Sequence, residues 1–164
     1  MSTDIALVVR PAAARDAGTI LGFVRELADY EKLAHEAVAT EAMIAQALFG
    51  TRPVAEALIA ERGGAAVGFA LFFPTFSTFV GKPGLYLEDI YVQPAHRRHG
   101  VGRALLRELA TIAVQRDCGR LEWAVLDWNE PAIRFYRDKL GARAMDQWTV
   151  HRLDRAAIAA LAED

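Results

Sequence analysis

Two kinds of chemically capable side chain meet in one short stretch. The run LYLEDIYV at positions 85–92 carries adjacent carboxylates, Glu88 and Asp89, in an otherwise apolar and aromatic sequence. Directly after it, QPAHRRHGVGR at positions 93–103 combines Arg97, Arg98 and Arg103 with Gly100 and Gly102. An apolar-periodic run follows, with Leu105, Leu106, Leu109, Ile112 and Ala113 on one helical stripe. The order is therefore strand, cationic glycine-rich turn, helix. The first amides of a helix lack intrahelical partners and sit at the positive end of its dipole, which suits a phosphate. Glycine at 100 and 102 lets the backbone close around such an anion, and the arginines add charge. On a regular strand Glu88 and Asp89 project to opposite faces, so both cannot meet one ligand through the same pleat. Their apolar neighbours Leu85, Leu87, Ile90 and Val92 argue against a solvated surface strand, and an unpaired buried carboxylate is costly.

Other chemistries are disfavoured. A nucleotide P-loop needs a Gly-Lys-Ser/Thr tripeptide, which the chain lacks. A dinucleotide fingerprint places its third glycine where Leu105 stands. His35, His96, His99 and His151 do not make a metal site: His96 and His99 flank arginines, and no cysteine or carboxylate completes a ligand set. The one cysteine, Cys118, excludes an internal disulfide and has no sequence partner that would make it a nucleophile.

The elements that must hold these residues follow from periodicity and punctuation. Strands are expected at residues 5–10, 54–61, 65–73, 85–92 and 120–126, with one or two more at 142–153. Helices are expected at 17–33 after Asp16, at 41–49 capped by Thr40 and closed by Gly50, at 101–114, from Asn129 to Lys139 with Pro131 in its first turn, and briefly after Asp154. Arg62, Gly63 and Gly64 read as a hairpin turn, and 74–84 as a loop. This predicts an α/β fold around a mixed sheet, in one domain spanning residues 1–164. With 164 residues, 53% of them hydrophobic, the chain can bury a substantial core. A net charge of −2 argues against a general nucleic-acid binder. There is no signal-peptide pattern and no apolar stretch of membrane-spanning length, so a cytoplasmic protein is expected.

The spacing Arg97-x-x-Gly100-x-Gly102 resembles the pyrophosphate loop of the GNAT acyl-CoA N-acetyltransferases, and the element order is similar to that family's. The resemblance implies the GNAT fold, in which two parallel strands, here 85–92 and 120–126, splay apart to admit the cofactor. It implies acetyl-CoA as co-substrate, no metal, and a homodimer, with Trp148 and apolar loop residues available for an interface. Adding LADYE at 27–31, LYLED at 85–89 and WNEPAIRFY at 128–136, the chain resembles the diamine N-acetyltransferase subfamily, which acts on polyamines and thialysine.

By that resemblance, Ile90, Tyr91 and Val92 pair with the cofactor's pantetheine amides, and Arg97, Arg98, His99, Gly100, Val101, Gly102 and Arg103 hold its pyrophosphate. Asn129, Glu130, Pro131 and Ala132 line the cofactor, and Tyr136 stands beside its sulfur. A phenol's pKa near 10 is close enough to a thiol's for Tyr136 to act as general acid. Glu88 faces the amine, and two roles for it stay open: holding the cation's charge alone, or also accepting its proton through water. Tyr30 and Glu31, with Glu122, Trp123 and Ala124, contact the amine. For Asp89 a structural role, such as fixing a backbone amide or an interface arginine, stands at least level with a functional one. Two departures weaken the likeness to polyamine enzymes. Lys139, Leu140 and Gly141 form a segment one residue longer than the pattern, and 142–147 is shorter and lacks an acidic pair, with Asp146 a partial substitute. Two alternatives to a small-amine acetyltransferase stay open: an enzyme for protein N-termini or lysines, and a catalytically idle CoA-binding module.

Overall fold

The computed structural model describes residues 6–163. They form two compact units, divided between Ala124 and Val125, of which the first holds the sheet. Five strands lie in sequence order: β1 (Leu7–Pro11), β2 (Glu56–Arg62), β3 (Ala65–Ser77), β4 (Lys82–Val92) and β5 (Arg120–Trp123). The first four are an antiparallel meander, and β5 runs parallel to β4. A parallel neighbour needs a crossover, and α3 (Val101–Gln115) supplies it.

Side-chain alternation divides the sheet cleanly. Ala57, Ile59, Phe69 and Tyr91 pack with Ile20 and Phe23 of α1 (Ala17–Tyr30) and Leu48 of α2 (Glu41–Phe49). The Phe23 and Phe69 rings stack at 5.7 Å. Leu58, Phe72, Leu85 and Leu87 belong to the other face, and they are buried together with Val101, Leu105 and Leu109 of α3. Helix α2 starts where expected: Thr40 Oγ1 accepts from the Met43 amide at 3.3 Å. Asp16, the buried polar residue ahead of α1, accepts from both terminal nitrogens of Arg10 at 2.7 and 2.9 Å and from the Ala13 amide at 2.7 Å. Arg10 also reaches Glu61 at 2.7 Å, tying β1, β2 and the start of α1 together.

The expected elements are revised in five places. The first strand starts at Leu7, with Ala6 outside it and Ile5 outside the described residues, and it extends through Pro11. Helix α1 stops at Tyr30, three residues early, as Lys32 turns into positive φ (60°). The expected loop at 74–84 is mostly sheet: β3 runs to Ser77 and β4 restarts at Lys82, leaving a short turn. Pro74 and Pro83 are tolerated there despite lacking an amide donor. Strand β5 ends at Trp123 rather than at 126. Residues 142–153 form no strand; turns and irregular backbone occupy them. A strand there would need a sheet edge to pair with, and apolar alternation cannot supply one.

In the second unit, α4 (Glu130–Arg134) is followed by a π turn at Phe135–Lys139, and α5 (Arg155–Glu163) is capped by Asp154, whose Oδ1 accepts from the Ala157 amide at 2.8 Å. A π turn accommodates one extra residue in a helix. It falls directly before the one-residue excess noted at 139–141, and Gly141 (φ 70°) ends the helix with the Ala142 amide donating to the Tyr136 carbonyl.

Candidate active site

Strand β4 organises the site. Its parallel ladder with β5 begins at Gly84–Arg120 and stops at Leu87–Trp123. From 88 to 92 the strand pairs with β3 alone. Alternate backbone groups of this segment therefore face away from β3 with no ladder partner, an open edge that an extended ligand can join as a strand would. Ile90, Tyr91 and Val92 all belong to this segment, with the backbone groups of Ile90 and Val92 facing away from β3 and those of Tyr91 facing it. The parted strands that the sequence predicts are thus present, in the form of a ladder that ends halfway.

A second irregularity coincides with the first. On the β3 side, Leu71 pairs with Asp89 and Phe72 with Leu87, so Glu88 is the extra residue of a β-bulge. Bulges bend a strand and re-aim its side chains, and they concentrate at functional sites. The expectation that Glu88 and Asp89 point to opposite faces assumed unbroken alternation, which the bulge removes. The apolar set carries the signature: Leu85 and Leu87 occupy odd positions, Ile90 and Val92 even ones. Glu88 is exposed, and Asp89 falls in register with Leu71, on the side of Phe69 and Tyr91.

The carboxylates cluster here. Burial, then the charges of Glu88 and Glu31, push the Asp89 carboxyl up to about 6. Glu31, just past the end of α1, is pushed up by burial. The Tyr86 phenol is raised by burial and by the charges of Glu88 and Glu122. Glu122 lies 3.8 Å from Arg120. Among the described residues the Asp89 carboxylate has no hydrogen bond or ion pair, so it fixes no amide within this chain. Sequence analysis undervalued it because regular alternation assigned it to a face of its own.

The anion turn is built as its residue types require. Arg98 (φ 65°) and Gly100 (φ 77°) both adopt left-handed backbone, and Gly100 caps α3. Successive backbone N–H groups in a turn of this kind make a concave surface suited to anions. A Cβ at Gly100 would meet nothing within 4 Å, and one at Gly102 would come no nearer than 3.9 Å to Val92. The space beside these two glycines is therefore unfilled among the described residues. Val101 is buried, while His99 and Arg103 are exposed. Arg97 behaves differently: its Nε donates to the Val92 carbonyl at 2.9 Å, and its guanidinium lies 5.0 Å from the Tyr30 ring and 5.4 Å from the Tyr91 ring.

Gly68 was missed by motif reasoning. It pairs with Val92 at the end of the open edge, and a Cβ there would lie 2.6 Å from the Tyr91 carbonyl oxygen. A glycine inside an apolar strand signals such a close approach. Trp123 closes the β5 ladder and Ala124 follows it. In the second unit, Asn129 Oδ1 accepts from the Ala132 amide at 3.4 Å, so the asparagine does cap this helix. Glu130 and Pro131 form the first turn, with Glu130 3.5 Å from Arg134. Tyr136 sits in the π turn, its ring 5.8 Å from that of Phe135. No group of three or more potential metal ligands occurs among the described residues.

Comparison with known proteins agrees with this geometry. The family model described as "Acetyltransferase (GNAT) family" matches residues 22–142. The chain is 35% identical to the thialysine N-epsilon-acetyltransferase of Sus scrofa, covering 95% of this chain and 97% of that protein. It is 30% identical to an L-ornithine N5-acetyltransferase of Arabidopsis thaliana, covering 93% and 86%. An integron cassette protein from the mobile metagenome of V. cholerae shares the fold, with a TM-score of 0.81 over 98% of this chain and 99% of that one, at 24% identity. A sheet whose fourth and fifth strands part beside a glycine-capped helix, carried by a sequence with these relatives, leads to one conclusion: the chain belongs to the GNAT acetyltransferase family and is an acyltransferase.

Proposed function

We propose that this enzyme transfers an acetyl group from acetyl-CoA to a primary amine of a small cationic substrate, a diamine, polyamine or thialysine-like compound. The observation that carries this is the coincidence of the open edge at 88–92 with Glu88 and Asp89 of the same strand and with Glu31, just past the end of α1, whose charge reaches Asp89. The edge suits an acyl-pantetheine chain, and the carboxylates suit an ammonium. The relatives support the amine class, since thialysine and ornithine both carry an amine on a short flexible chain.

The residues divide the work as follows. Backbone groups of Ile90 and Val92, with Tyr91 between them, bind the pantetheine, and an amide of this segment donates to the oxyanion as the carbonyl is attacked. The turn at 97–103 and the first amides of α3 hold the pyrophosphate. Asn129, Glu130, Pro131 and Ala132 line the remainder of the cofactor. Glu88 holds the ammonium and takes its proton through water, freeing the nitrogen lone pair. Tyr30, Glu31, Glu122, Trp123 and Ala124 contact the rest of the amine. Tyr136 gives a proton to the departing thiolate. Transfer is direct, without an acetylated residue on the protein. The chain acts as one domain, in the cytoplasm, and pairs as a homodimer; exposed Trp148 and Phe79 are available for that contact.

The deciding experiment is acetyl-CoA turnover against a panel of diamines, polyamines, thialysine, ornithine, lysine and peptides with free N-termini, with products identified by mass. Mono-acetylated small amines are expected. Exclusive acetylation of peptides would overturn the substrate class, and CoA binding without turnover of any amine would overturn catalysis.

A further inference from the structure

Arg97 opens the glycine-rich turn, yet it is directed back onto the protein. Its contacts join Tyr30, at the last position of α1, to a distant part of the chain, the end of β4 at Tyr91 and Val92 and the turn that follows it. A guanidinium suits this junction because it lies flat over a ring while its N–H groups donate in the plane. The same junction is braced beside it. Glu26 of α1 accepts from the Gln93 side-chain nitrogen at 3.4 Å, and burial, then Glu26, raises the Tyr91 phenol. The end of α1 and the start of the anion turn are therefore held against the same end of β4.

We propose that Arg97 is a positioning residue that couples the amine-binding end of α1 to the anion-binding turn. The proposal rests on the function given above for what the two ends bind. Coupling through a shared side chain is reciprocal: whatever orders the turn also orders Tyr30 and Glu31, and the converse. Its consequence is that Tyr30, assigned to the amine, affects CoA.

The test is CoA affinity by calorimetry for the wild type, Tyr30→Leu, Arg97→Met and the double variant. Tyr30→Leu is expected to weaken CoA about three- to tenfold, the range of a partly buried cation–π contact. Arg97→Met should weaken it at least as much, and the double variant no further than Arg97→Met alone. Tyr30→Phe keeps the ring and should bind CoA more tightly than Tyr30→Leu. Melting curves identify any variant that fails to fold, in which case Tyr30→Met replaces Tyr30→Leu. Wild-type CoA affinity in Tyr30→Leu, or losses that simply multiply in the double variant, would overturn the coupling. An inactive amine panel would instead overturn the proposed reaction while leaving this comparison intact; a wild type that does not bind CoA would overturn both.

Discussion

Replacing Asp89 by asparagine should make the protein more stable at neutral and alkaline pH. The carboxyl is half-buried beside Glu31 and Glu88, and no hydrogen bond or ion pair to it is found among the described residues. Burial and the two like charges raise its pKa from the ordinary 3.8 to about 6. Each pKa unit is worth 1.36 kcal/mol, so the charged form costs the folded state about 3 kcal/mol relative to the unfolded chain. The direction follows from linkage. Between pH 3.8 and about 6 the folded protein binds more protons than the unfolded one, so stability falls as pH rises through that window. Above it the penalty is constant, and below it the penalty vanishes. Asparagine has nearly the same shape and no charge, so Asp89→Asn escapes the penalty. Relaxation makes about 3 kcal/mol an upper end. At roughly 2–4 °C per kcal/mol for a chain of this size, the melting temperature should rise by several degrees at pH 8. At pH 4 the two proteins should melt nearly together. The assay is thermal unfolding by circular dichroism across pH 4–8. An Asp89→Asn protein that melts at or below the wild type at pH 8 would refute the account, because it would mean that the carboxylate has a stabilising partner. The same uncompensated charge gives an incoming ammonium part of its binding free energy, so stability and substrate affinity should move in opposite directions in this variant.

Tyr136→Phe should lower kcat by about two to four orders of magnitude, the scale of general acid catalysis, with CoA affinity close to wild type; unchanged turnover in a steady-state assay would remove the assignment. Gly68→Ala should destabilise the fold by about 2 kcal/mol or more, because its Cβ must displace the Tyr91 carbonyl, 2.6 Å away, in the strand that carries the open edge. Chemical denaturation measures that directly, and a fully stable Gly68→Ala protein would show that the β3–β4 pair is more yielding than its geometry indicates.

How much of this was legible without coordinates depended on the range of the interaction that decides each feature. The glycine-capped start of α3, the Thr40, Asn129 and Asp154 caps and the strand–turn–helix order were readable because each is settled within a few residues, by φ preference, a local hydrogen bond or apolar period. The Glu88 bulge lay at the limit: the shift of apolar parity between Leu87 and Ile90 encodes it, but only pairing with β3 reveals it. The sequence suggested strands at 142–153 and a loop at 74–84, and both failed for one reason. Whether a segment becomes sheet depends on an available partner edge, which neighbouring residues do not specify. Tertiary structure alone decided where the β4–β5 ladder ends, that Arg97 turns inward to Tyr30, and that Asp89 shares its surroundings with Glu31. Each of these depends on groups far apart in the chain, and their energies exist only after the backbone has brought them within a few ångströms.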